Sequence, residues 1–306
     1  MTPPFIMGNM GLTATARRGS ARVVAWALGA ALAAGGGAAI AGAPNEKLAM
    51  VTVVAESRPT AGLTPADFSV TEEKDKLQVI EAVPAKDPLS IVLLVDTALP
   101  ADGAAATLEM RKALVSFVGT IEAGEPTAQI ALYQVANAAV PVKDFTSNRA
   151  DLEAGINVIA SGTSTGSAML EGVVTAARRV GDRPAPRRAI VCIGIGTAEG
   201  TSLQPKAVGD AVRQSGATLW VVSVEGAVDA SLTNRDAVWT RATADTGGLR
   251  QNVVQATRLH SRLQSVANSL LSQYFLKMVR AKEGAMKPLK GQTAEGAQVL
   301  FTRWMR

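Results

Sequence analysis

Across 306 residues the chain carries one cysteine, Cys192, and one histidine, His260. A lone thiol forms no intrachain disulfide. Its place inside the apolar run Ala189–Ile195 reads as a buried structural thiol. His260 lies on a helical pattern and reads as a helix-surface or packing residue. With one of each, zinc sites and nucleophile–base dyads built on these residues have almost no room. There is no Gly-x-Ser-x-Gly elbow and no phosphate loop, and Gly194-Ile195-Gly196 with Gly200 misses the dinucleotide-binding spacing. Aromatic residues are only 4%, so the core must come mainly from Val, Leu, Ile and Ala. The formal charge of +5 owes three of its units to Arg17, Arg18 and Arg22. The remainder is close to neutral, which argues against a nucleic-acid partner.

What is present is a leader followed by an alternating pattern. Residues 1–22 carry those arginines and no acid, and an Ala/Leu-rich stretch runs from Val23 to Ala43. Ala39-Ile40-Ala41 fits the small-x-small rule, so a signal peptide over 1–41 cleaved after Ala41 is expected. The alternative is a retained anchor over 23–43, long enough to span a bilayer but weakened by its glycines, Gly29, Gly35, Gly36 and Gly37 among them. No lipobox cysteine is present. Either way the chain is expected to be exported, periplasmic or extracellular, touching a membrane only through an uncleaved N-terminal segment.

The mature part divides into a small β-module over 44–88, an α/β domain over 89–282, and a C-terminal strand with a basic tail over 283–306. Residues 48–55, 68–72 and 77–83 read as strands from their β-branched content and alternation. Pro84 and Pro88 mark a junction. Ser90–Val95 is then a continuous apolar run ending in Asp96, the pattern of a parallel strand buried on both faces. Helical spacing over 104–118, 148–159, 168–180, 205–214, 236–244 and 258–272 alternates with apolar strands at 130–135, 188–195, 218–224 and 274–279. Val140–Phe145 reads as an edge strand, and 299–301 as a late strand. This alternation predicts an α/β, Rossmann-like three-layer sandwich: a mostly parallel central sheet with helices on both faces, plus the small N-terminal β-module. Its functional crevice is expected at the carboxyl ends of the strands.

Ser90-Ile-Val-Leu-Leu-Val-Asp96-Thr97 resembles the first strand of a von Willebrand factor type A domain. Gly62–Glu72, Asp87–Ser90, Asp245–Gly248 and Leu271–Leu276 resemble a bacterial group related to it. The resemblance implies a Rossmann-like sandwich that binds proteins at its top face. It also implies a divalent cation there, held by Asp-x-Ser-x-Ser after the first strand, a loop Thr, and a later Asp. Mapped onto this chain, those positions are Asp96, Ala98, Pro100, Ser167 and Ile195. Three of the five have no side-chain oxygen. Magnesium needs hard oxygen ligands in near-octahedral geometry, so no metal and no cofactor are expected. Asp102 and Glu199 lie in loops from which either could substitute.

The expected function is therefore a non-catalytic protein-binding module, of adhesion or scaffold type, acting without metal. Its loops near 97–104, 161–168 and 196–203 would supply the face, with Asp96, Thr97, Ser167, Thr197 and Glu199 as candidate residues. The alternative is a membrane-anchored assembly factor of the cell envelope. A Ser167-dependent hydrolase is a remote third reading.

Overall fold

The computed structural model describes residues 45–54, 60–98, 104–161, 164, 166–195, 198–224, 233–280 and 287–305. The leader, Pro100, Asp102 and Thr197 lie outside them.

The α/β part is built on β4 (Leu89–Asp96), which follows three strands: β1 (Asn45–Val53), β2 (Phe68–Glu72) and β3 (Asp75–Pro84). All eight residues of β4 are buried, as a two-sided apolar run demands. After it come α1 (Ala104–Gly124), β5 (Gln129–Val135), β6 (Ala139–Thr146), α2 (Arg149–Val158), α3 (Met169–Gly181), β7 (Arg187–Ile195), α4 (Pro205–Ser215), β8 (Thr218–Val224), α5 (Thr233–Thr246), β9 (Arg250–Val253) and α6 (Leu259–Leu271). Strand order is β6-β5-β4-β7-β8-β9. All pairs are parallel except β5 with β6, which is an antiparallel edge. This is the expected Rossmann-like sandwich.

Alternation along β4 assigns the two faces. Ile91, Leu93 and Val95 pack with Met110 and Phe117 of α1, Ile156 of α2 and Leu263 of α6. Val92 and Leu94 pack with Val173 of α3, Val212 of α4 and Trp239 of α5. With few aromatics, each layer depends on interdigitated aliphatic chains, where deleting one Leu side chain costs about 2–5 kcal/mol. Local signals set the ends of the helices. Asn148 caps α2 by accepting the Asp151 N–H, and Gly216, at φ 69°, closes α4 in the left-handed region.

The remaining strands are β10 (Gln273–Arg280), β11 (Leu289–Thr293) and β12 (Gln298–Met305). With β1, β2 and β3 they form a closed barrel in the order β1-β10-β3-β2-β11-β12. The sequence division into an N-terminal module, an α/β domain reaching 282 and a C-terminal tail therefore needs redrawing. β10 inserts between β1 and β3, and β12 pairs with both β1 and β11. Three strands from one end cannot bury a core alone. The three from the other end complete it, around Val51, Val70, Leu77, Tyr274, Leu276 and Val299.

Barrel and sandwich meet at a buried arginine. Arg187, the first residue of β7, has a fully buried side chain. Its Nε donates to Gln273 Oε1 at 2.8 Å, its Nη2 to the Leu270 carbonyl at 2.6 Å, and its Nη1 to the Asp87 carbonyl at 3.2 Å and to Glu125. Gln273 in turn donates to Thr52 of β1 at 3.1 Å.

Candidate functional site at the top of the sheet

At the carboxyl end of β4, Asp96 is wholly buried. Its Oδ1 accepts the Ala98 N–H at 3.0 Å, a short Asx-type turn that bends the chain as it leaves the strand. Thr97 is buried too. Its N–H and hydroxyl both donate to the Val135 carbonyl, at 2.7 and 3.1 Å. Ser167, also buried, leads into α3 and pairs with Glu199 in a parallel bridge. The bridge is closed by Ser167 N–H to Ala198 O and Gly200 N–H to Ser167 O, both 2.8 Å. Asp96, Thr97 and Ser167 were expected to line a binding face. All three are buried, and the backbone groups of Thr97 and Ser167 are paired across the end of the sheet.

Glu199 has a side chain only 2% exposed. Its Oε1 accepts the Thr201 hydroxyl at 3.0 Å and the Leu170 N–H at 3.4 Å. The second contact places a carboxylate at the amino end of α3, where the helix field favours it. Burial nevertheless raises the Glu199 carboxyl above its usual range. Asp96 adds to that, while Thr201, Arg235 and the Leu170 N–H oppose it.

Sequence reasoning missed Arg235. It lies in the first turn of α5, and its side chain is 7% exposed. Its Nη1 lies 4.0 Å from Asp96 Oδ2 and 3.8 Å from Glu199 Oε2, so one guanidinium stands between two buried carboxylates. The available signal was a cation in a helix's first turn, where the macrodipole disfavours positive charge. The helical pattern read from sequence began one residue later, at Asp236.

Of the five positions implied for a cation, Asp96 and Ser167 are brought to this end of the sheet with Glu199. Ala98 contributes no side-chain oxygen, Ile195 is the last residue of β7, and Pro100 is not described. The oxygen groups present do not fit a divalent cation. Asp96 Oδ1 accepts the N–H of its own turn, and Asp96 Oδ2 and Glu199 Oε2 both face a resident positive charge. Among the described residues no group of three His, Cys, Asp or Glu is placed to hold a metal.

Other chemistry is also located. Cys192 is buried in β7, and burial pushes its thiol up. His260 lies 3.2 Å from Ser116 Oγ, and Ser116 donates to Gln264 Oε1 at 2.9 Å. The sole imidazole thus belongs to the α1–α6 contact. A groove of 760 Å³ lies where Gly247–Leu249 meet β11 and β12. No Asp, Glu, His or Cys lines it. No described helix is long and apolar enough to cross a membrane.

A family model for the von Willebrand factor type A domain matches residues 90–240. No curated protein sequence matches the chain. Among solved structures, a variant of the PilB minor pilin from Streptococcus sanguinis superposes with TM-score 0.50 at 9% identity, covering 62% of this chain and 63% of the pilin. The chain thus spans less than two thirds of that relative's length. Proximal thread matrix protein 1 from the mussel byssus, with a zinc-occupied MIDAS motif, gives 0.49 at 13%, covering 66% and 50%. A von Willebrand factor type A protein from Catenulispora acidiphila gives 0.46 at 11%, covering 85% and 72%. At such identities the likeness is one of fold. Sandwich topology, the Asp96 strand end and the family match converge: residues 90–240 of this chain are a von Willebrand factor type A domain.

Proposed function

We propose that the chain is a non-catalytic protein-binding module that works outside the cytoplasm and engages its partner at the top face without a bound metal. The carrying observation is Asp96: its carboxylate is fully buried and accepts the Ala98 N–H. One oxygen of the first ligand position is therefore engaged at the strand end, and the other lies 4.0 Å from Arg235 Nη1. Type A domains commonly bind proteins rather than turn over substrates. The pilin and thread-matrix likenesses are compatible with an envelope or extracellular setting. A lack of catalysis accords with the chemistry present, since Ser167 is buried, His260 is engaged with α1, and Cys192 is held protonated by burial.

The test is affinity capture from the source organism with residues 42–306 as bait, in parallel with magnesium and with EDTA. The same specific partner in both arms is the expected result. Loss of that partner in EDTA, restored by added magnesium, would overturn the metal-free reading.

A further inference from the structure

We propose that Arg235 is a fixed, covalently attached replacement for the divalent cation of this face. Its guanidinium neutralises Asp96 and Glu199 from within and closes the site to metals. The inference rests on the metal-free reading and goes beyond it by naming the group that supplies the positive charge.

The need for a cation is set by burial. Asp96, Glu199 and Arg235 have side chains 0%, 2% and 7% exposed. Two carboxylates so far from water cannot both stay ionised unless positive charge stands between them. A divalent ion meets that need in metal-bearing sites, and here a guanidinium does. The same Nη1 faces both carboxylates, at 3.8 and 4.0 Å. These separations exceed the roughly 2.7–2.9 Å of a tight charge-assisted hydrogen bond, so the nitrogen is central to the pair rather than clamped to one member. A metal would need oxygens at about 2.1 Å, and it could enter only by expelling the arginine head.

The arginine's own helix gives no reason for its place. Amides of the first turn of α5 already carry partial positive charge, so Arg235 opposes that field and is compensated by the carboxylates across from it. Two oxygens mark the site as one built for a ligand. Ser167 Oγ and Glu199 Oε2 are both buried and neither has a hydrogen-bond partner. Ser167 and Glu199 are also paired through their backbones. With the guanidinium removed, Asp96, Glu199 and Ser167 would leave two carboxylates and a hydroxyl for a hard cation, with water completing the shell.

The experiment titrates Mn²⁺ into the whole chain, following free ion by electron paramagnetic resonance. Melting is recorded in parallel with and without Mn²⁺. The chains are wild type, Arg235→Ala, Arg235→Lys and the double variant Arg235→Ala with Asp96→Asn. Wild type and Arg235→Lys, which keep a cation, are expected to show no saturable binding and no stabilisation. Arg235→Ala is expected to gain one site with a dissociation constant of about 10⁻⁴–10⁻³ M, the range of weak oxygen-ligand sites, and a melting temperature that rises with Mn²⁺. The double variant should lose both. Melting keeps the test decisive for a variant too unstable to titrate, because an ion that binds the folded state must raise its transition. The proposal is overturned by a wild-type site as tight as that of Arg235→Ala. It is equally overturned by an Arg235→Ala chain that Mn²⁺ neither binds nor stabilises, or by a gained site that survives Asp96→Asn. A metal bound elsewhere could make partner capture sensitive to chelator while these results still hold, so the two readings fail separately.

Discussion

Two buried arginines sit at opposite ends of the same sheet and do different work. Arg187, at the amino end of β7, is ringed by close neutral acceptors. It reaches the Gln273 amide at 2.8 Å and the Leu270 and Asp87 carbonyls at 2.6 and 3.2 Å, with Glu125 as its counter-charge. Arg235, at the carboxyl end, faces two carboxylates at 3.8 and 4.0 Å. The first uses the planar fork of the guanidinium to fix geometry between barrel and sandwich. The second brings one guanidinium nitrogen to face two carboxylates at once. Burial of an arginine is therefore no guide to its role; the distance and chemistry of its acceptors are.

The comparison can be broken by substitution, and Arg187 gives the largest effect. Arg187→Met removes the donor for Gln273, two carbonyls and Glu125 together. It should cost about 3–5 kcal/mol in urea unfolding, with loss of the barrel–sandwich contact. Arg235→Ala should cost less, about 3 kcal/mol near neutral pH, because Glu199 relieves part of the charge by taking a proton. Restoring that position with lysine should recover most of the loss, whereas Arg187→Lys should recover little, since one ammonium cannot reach acceptors spread around a fork. Equal recovery at both sites would erase the distinction.

Proton linkage sharpens the same contrast and is smaller. The Arg280 guanidinium, bonded to both Glu72 oxygens at 2.8 Å inside the barrel, holds that carboxyl below its usual 4.5. A depressed acid contributes stability that is full above the unfolded value and lost as pH falls through the folded one. Glu199 runs the other way. Burial raises it, so its contribution is full below the unfolded value and lost as pH rises through the folded one. Stability profiles should therefore differ in sign: Glu72→Gln flattens the acid limb, and Glu199→Gln flattens a loss toward neutral pH. Profiles that move in the same direction would contradict the assigned environments. The smallest effect belongs to Thr201→Val, which removes the hydroxyl at 3.0 Å from Glu199 Oε1. It should cost about 1 kcal/mol and push the Glu199 carboxyl higher still, as read by NMR titration.

The sandwich was legible because its signals are long and local. Ser90–Asp96 could only be a strand buried on both faces, and the 3.6-residue spacing of α3 and α6 needed no partner to be seen. The barrel was not, because the pairings that close it join the two ends of the chain, such as Met50 with Phe275. β9 is four residues, Arg-Gln-Asn-Val, and β11 is Leu-Lys-Gly-Gln-Thr; neither has enough apolar alternation to declare itself. At the site, Asp96, Ser167 and Glu199 were found because their positions follow β4, precede α3 and follow β7. Arg235 was not, since nothing in the order of residues says that the first turn of α5 folds over the end of β4. Sequence exposes the loss of oxygen donors, and only three-dimensional packing exposes what replaces them.

What stands between Asp96 and Glu199 is a guanidinium in the wild-type chain. Anomalous diffraction from crystals of the wild-type chain grown in manganese reads it directly. The expected map shows the Arg235 guanidinium between the two carboxylates and no anomalous peak at the end of β4. A peak about 2.1 Å from Asp96, with the arginine swung away, would contradict it.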